Sequence, residues 1–185
     1  MDHSYFGTHD KIISGIATGY DPAGNNKYKD ADYISWSWPY AAGEIISNVE
    51  DLLKWDNALY TDKIVSRALL QKAWTSYTLK DGKKTCYGFG WFTGNYNGVK
   101  MIWHAGGIPG FVSMTVRLPE QHLYVALLSN NASSNAMAIA LLIALSSAGN
   151  PVIRPQAIKP DSNLLKDYVG VYELHALWVS LVSDF

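Results

Sequence analysis

Trp103-His104-Ala105-Gly106-Gly107-Ile108-Pro109-Gly110-Phe111 is the stretch that decides how this 185-residue chain folds. An apolar run, Val99-Lys100-Met101-Ile102-Trp103, leads into it, and a longer one from Val112 to Leu118 leads away. Three glycines and a proline between two extended runs mark a tight connection. Glycine alone reaches positive φ, or lets another backbone come close, without steric cost. A histidine at the end of a strand, just before glycine N–H groups, is placed to help form a polar site. Spacing alone also fits, and slightly favours, a structural hairpin with an incidental histidine.

Outward from this junction the pattern is β on both sides. Tyr87-Gly88-Phe89-Gly90-Trp91-Phe92 alternates small and bulky residues and predicts a strand. Asn95-Tyr96-Asn97-Gly98 ends in the strongest hairpin pair. Strands at about 99–104, 111–118 and 122–129 then complete an antiparallel meander. In the second of these, Val112, Met114, Val116 and Leu118 share one face, opposite Ser113, Thr115 and Arg117. The last strand is apolar on both faces and so wants a central place with layers on either side. Asn130-Asn131-Ala132-Ser133 ends the meander and caps a helix over 134–147 that is apolar almost all round.

Upstream, Ser47-Asn48-Val49-Glu50 reads as a capping box opening a helix over 48–60, with Val49, Leu52, Leu53 and Leu59 inward. Ser66 caps a second helix through Trp74, with Leu69, Leu70 and Ala73 inward. Residues 1–40 are irregular. Asp21-Pro22-Ala23-Gly24-Asn25-Asn26 is a turn cluster, Ile12, Ile13 and Ile16 hint at a short strand, and the aromatic run 33–40 reads as core or covering loop. So long an irregular start is expected to lie over a body not wholly encoded here. Residues 1–150 therefore read as one unit and 151–163, with Pro155 and Pro160, as a linker. Residues 164–185 read as the opening of a small β-rich unit.

The bulk properties exclude more than they assign. The formal net charge is −1, with nine acids against four bases in residues 1–60 and three against eight in 61–120. The basic residues are dispersed, which fits a solvated face and argues against a nucleic-acid partner. Cys86 is the only cysteine, so no internal disulfide forms. The start has neither the basic nor the apolar region of a signal peptide, and the apolar run 136–145 is too short to span a bilayer. His3, His9, His104, His122 and His175 show no metal-ligand spacing, so neither metal nor cofactor is expected.

Several pieces together resemble the C-terminal half of the serine beta-lactamase-like superfamily. The relevant group comprises the class C beta-lactamases, D-alanyl-D-alanine carboxypeptidases and bacterial esterases. The pieces are residues 1–7, Ala41-Ala42-Gly43-Glu44-Ile45-Ile46-Ser47, Tyr87-Gly88-Phe89-Gly90-Trp91, the stretch His104 to Phe111, and Leu127-Leu128-Ser129-Asn130. None is specific alone; their order and spacing over roughly 1–148 are. The resemblance implies an α+β fold, with an antiparallel meander, a C-terminal packing helix and an incomplete helical region. It implies acyl transfer at a serine, on a small acyl, ester or peptide substrate, in a parent protein of the bacterial periplasm or envelope.

The family's third motif, Lys-Thr-Gly or His-x-Gly, falls on His104-Ala105-Gly106. By that match His104 gives charge or a hydrogen bond, and Gly107 one backbone N–H of the oxyanion hole. By the same match Ala105, Gly106 and Asn130 would border the substrate. Alanine at 105 lacks the hydroxyl that many relatives place there, which favours an ester or other small acyl substrate over a peptide or beta-lactam. No serine in the 185 residues is followed three places on by lysine, and no Tyr-x-Asn lies upstream. The chain alone is therefore expected to be inactive, as part of a larger hydrolase. The alternative is a non-catalytic module that binds a peptide or cell-wall fragment beside His104. An edge left free at 122–129 further predicts a homo-oligomer.

Overall fold

A computed structural model of the chain describes residues 1–7, 12–150 and 168–170. In chain order the elements are β1 (Tyr5–Phe6), β2 (Tyr20–Pro22), β3 (Tyr28–Asp30), a 3-10 turn (Tyr40–Ala42), β4 (Ile45–Ile46), α1 (Val49–Ala58) and α2 (Arg67–Ala73). Then come β5 (Phe92–Tyr96), β6 (Val99–Ile108), β7 (Phe111–Leu118), β8 (Leu123–Ser129) and α3 (Ala136–Ser147). The expected linker 151–163 lies outside the described residues, as does nearly all of 164–185.

The expected α+β class and antiparallel meander are what the chain adopts. Strands β5 to β8 form one sheet in sequence order, each pair antiparallel. Asn97 and Gly98, at φ 48° and 84°, make the β5–β6 turn that matches the strands' right-handed twist. Gly110, at φ 78°, turns β6 into β7, and a Cβ there would also sit 2.5 Å from that of Ala31.

One face of the sheet carries the main core. Val99, Met101 and Trp103 of β6 and Met114, Val116 and Leu118 of β7 pack on Ala136, Ala140, Leu141, Ala144 and Leu145 of α3. The alanines let the helix come close to the sheet. Each large apolar side chain buried here contributes about 1.5–3 kcal/mol. On the opposite face Ile102 meets Leu59, Leu70 and Trp74 from the α1–α2 region. This second cluster is small because α1 turns polar residues inward: Asp51 and Asp56 are its buried side chains.

Several local expectations are corrected. Residues 87–91 are not a strand; β5 begins at Phe92, after Gly90 at φ 77° has turned the chain. β6 does not stop at 104 but runs on through Gly106 and Gly107, so only Pro109 and Gly110 form the turn. The cap of α1 is Asn48, not Ser47, whose hydroxyl pairs with Ser4 instead. Val49, Leu53 and Leu69, expected inward, are exposed. Asn135 rather than Ser133 caps α3. Ile12 and Ile16 lie outside any strand and are exposed, as are Tyr33, Trp38 and Tyr40 of the aromatic run. As expected of this chain, the edge of β8 is free: β8 is the outer strand of the described sheet, and Ile139 and Ile143 on the far side of α3 are exposed.

The 18–31 segment straps over the β6–β7 hairpin. The Tyr20 N–H points at the carbonyls of Asn130 (3.0 Å) and Gly110 (3.3 Å), and the Ala132 N–H returns to Tyr20 O at 3.0 Å. Gly110 N–H donates to the Asp21 carboxylate at 3.1 Å. A Cβ at Gly19 would lie 2.4 Å from the Phe111 ring, so glycine is what lets the strap close.

Candidate functional site

The register of the sheet leaves one stretch half-paired. β5 faces β6 from Tyr96↔Val99 to Phe92↔Trp103 and goes no further. β7 faces β6 from Ile102↔Arg117 to Ile108↔Phe111. Among the described residues, 104–108 therefore have a strand partner on the β7 side alone, and their other edge is open backbone. Such an edge is a ready-made row of donors and acceptors for an extended ligand.

His104 begins that edge. Its Nε2 is 3.0 Å from the Tyr87 hydroxyl and its Nδ1 is 2.7 Å from the carbonyl oxygen of Ala105. Phe92 steadies the pair, meeting Tyr87 edge-on with centroids 4.6 Å apart and His104 at 5.6 Å. Phe92 in turn stacks on Trp103 at 5.7 Å, so the ring cluster is anchored to the core. Sequence reasoning missed Tyr87 as a partner of His104. The available signal was its place in the alternating aromatic–glycine run.

The other expected site residues separate. Gly106 is opposite Ser113, and a Cβ on it would sit 2.6 Å from Ser113 Oγ. Gly107 has only the Phe111 carbonyl, at 4.0 Å, near where its Cβ would be, so this chain's packing does not itself demand glycine there. Both are exposed on the open edge. Ala105 points the other way, with its side chain against the α3 core. Asn130 follows β8, two strands from Gly107 across the sheet, and its Nδ2 donates to Thr18 O at 2.8 Å. It ties down the strap.

Three buried charged residues, Arg117, Asp56 and Asp51, stand behind this face, and none was anticipated. Arg117 is fully buried, its Nε donating to Asp56 and its guanidinium 4.8 Å from the ring centroids of both Tyr60 and Trp74. Burial pushes the Asp56 carboxyl up, against the opposing pull of Arg117. Asp51 accepts from the His3 N–H at 2.7 Å, the Ser4 hydroxyl at 2.9 Å and Lys54 at 3.0 Å. Burial raises its pKa, but these donors outweigh it and hold the carboxyl well below the usual range. Among the described residues no three His, Cys, Asp or Glu side chains converge as metal ligands, and no helix is long and apolar enough to cross a membrane.

A four-stranded meander packed on one helix, with the histidine–glycine end of β6 unpaired on one side, is the sheet part of a beta-lactamase-type fold. The chain belongs to the beta-lactamase family, whose profile matches residues 1–149. It is 31% identical over 141 residues to penicillin-binding protein 4* of Bacillus subtilis, covering 71% of this chain and 31% of that one. It is 30% identical over 161 residues to an unguisins hydrolase of Aspergillus campestris, covering 77% and 29%. It thus spans about three tenths of the length of these relatives. Among solved structures it superposes on an octameric penicillin-binding protein homologue from Pyrococcus abyssi with TM-score 0.67 and 25% identity, over 82% of this chain and 35% of that chain. A D-amino acid amidase from Ochrobactrum anthropi superposes with TM-score 0.62 and 24% identity, over 80% and 48%.

Proposed function

We propose that this chain forms the edge-strand wall of the acyl-transfer cleft of a serine hydrolase and lacks the nucleophile that would make it turn over. The open edge at 104–108 carries this reading: it offers backbone groups, two glycines and an oriented histidine beside a place where a substrate can lie extended. Gly107 is the oxyanion donor of the proposal, its side-chain position open to an approaching group. Gly106 shares the edge. Ala105 and Asn130 contribute through backbone and strap rather than through side chains on the edge. The substrate is a small acyl, ester or peptide compound, and the parent a bacterial envelope protein.

The missing Ser-x-x-Lys pair supports inactivity in isolation, because an oxyanion donor with no nucleophile has no intermediate to stabilise. Intact mass spectrometry of the pure chain with a labelled penicillin or fluorophosphonate tests this. No adduct is expected; a stoichiometric adduct overturns it.

A second reading has an observation of its own. An open strand edge binds an extended peptide through main-chain hydrogen bonds whether or not a nucleophile is present. On that reading the chain is a binding module for a peptide or cell-wall fragment. Self-association through the outer strand β8 is compatible with both readings.

A further inference from the structure

His104 commits both ring nitrogens to groups of its own chain. Nδ1 meets the carbonyl oxygen of Ala105 at 2.7 Å, and a carbonyl oxygen can only accept. Nδ1 therefore carries a proton wherever that contact exists. A neutral imidazole has a single N–H, so Nε2 holds a lone pair, and the Tyr87 hydroxyl 3.0 Å away is the donor to it. The rings keep this arrangement in place. Tyr87 is half-buried and packed edge-on against Phe92, and Phe92 also touches His104.

We infer that Tyr87 is a positioning residue that holds neutral His104 as its Nδ1–H tautomer with Nε2 occupied, so that the open 104–108 edge is offered no free basic nitrogen. The polar atom presented beside the edge is then the Tyr87 oxygen, with lone-pair capacity left to accept from a substrate N–H or O–H. A ligand reaches Nε2 only by displacing Tyr87. For catalysis this means that His104 orients its neighbours and does not take the proton of nucleophile or leaving group. That consequence rests on the hydrolase reading; the tautomer rests on the two contacts alone.

The test is a long-range proton–nitrogen correlation spectrum of the 15N-labelled chain, about two units above the ordinary histidine pKa of ~6.5. His104 is assigned by its loss in His104→Gln. Expected is a pyrrole-type Nδ1 and a pyridine-type Nε2 for His104. The reverse pattern, or averaged shifts for the two nitrogens, overturns the inference. In Tyr87→Phe the Nε2 resonance is expected to move toward the position of a pyridine-type nitrogen that accepts no hydrogen bond. An unmoved Nε2 overturns the role of Tyr87. If Tyr87→Phe does not fold, the wild-type spectrum still decides the tautomer. Neither resonance depends on turnover, so a failed hydrolase assay and a failed tautomer assignment are separate results.

Discussion

Phe92, the first residue of β5, sits opposite Trp103, so the open edge begins at the very next residue of β6, His104. The break is local and physical. Gly90, at φ 77°, turns the chain just before Phe92, so β5 does not continue alongside 104–108. In place of a strand the side chain of Tyr87 reaches His104.

The glycines on that edge are predicted to differ in what they cost to replace. Gly106→Ala places a methyl against Ser113 Oγ, which has to rotate away, and is expected to destabilise by up to about 1 kcal/mol in urea unfolding. Ser113→Ala in the same chain should restore most of the loss, since the next atom, Ser113 Cβ, is 4.0 Å away. Gly107→Ala should leave stability near wild type. Equal losses for the two glycines would contradict this geometry.

The buried pair behind the sheet predicts strong coupling. Arg117→Ala leaves Asp56 buried without its cation and should cost about 3–5 kcal/mol. Replacing both residues together, by Met at 117 and Leu at 56, should cost much less than the two single changes added. Additive losses in a double-mutant cycle would show that the two do not act as a pair.

Acid should loosen the N-terminal clamp. The Asp51 carboxyl is held below its unfolded value of about 3.9, so the unfolded chain binds the extra proton as pH falls. The stability contributed by Asp51 is full above the unfolded value and is lost as pH drops through the folded one. Asp56, raised by burial, works with the opposite sign, so the comparison has to be made on one residue. Urea midpoints measured between about pH 5 and pH 2 should fall more steeply in wild type than in Asp51→Asn. Parallel curves would remove Asp51 from the account.

These buried acids also show where sequence reading stops. The meander was legible because period-two alternation and the Asn97-Gly98 turn are local signals. The α3 contact was legible because a helix apolar all round has to be covered. The inward face of α1 was not, because Asp51 and Asp56 are buried only by partners distant in sequence, Ser4 and Arg117 among them. Val49 and Leu53 drew the hydrophobic pattern toward the exposed side. At the site, His104 and the glycines stood out as residue types, whereas the Tyr87 contact depends on a glycine-rich turn that alternation disguises as a strand. Asn130 looked available because nothing local announces that Thr18 will take its amide.

Self-association is expected from the outer strand. β8 has half-buried apolar residues on both faces, and Leu128 is exposed. Light scattering should find a dimer or larger assembly, weakened in Leu128→Lys, where a charge on the exposed edge discourages pairing. A stable monomer that unfolds cooperatively would contradict it.

The open edge itself is tested most directly by titrating the 15N-labelled chain with a small acyl ester and, separately, with an acylated D-alanyl-D-alanine peptide, following its amide resonances. The account predicts shifts concentrated at residues 104–108 and at Tyr87, with β8 and α1 unmoved. Shifts confined to β8, or none at millimolar concentrations of either compound, would contradict the claim that this edge is the substrate wall.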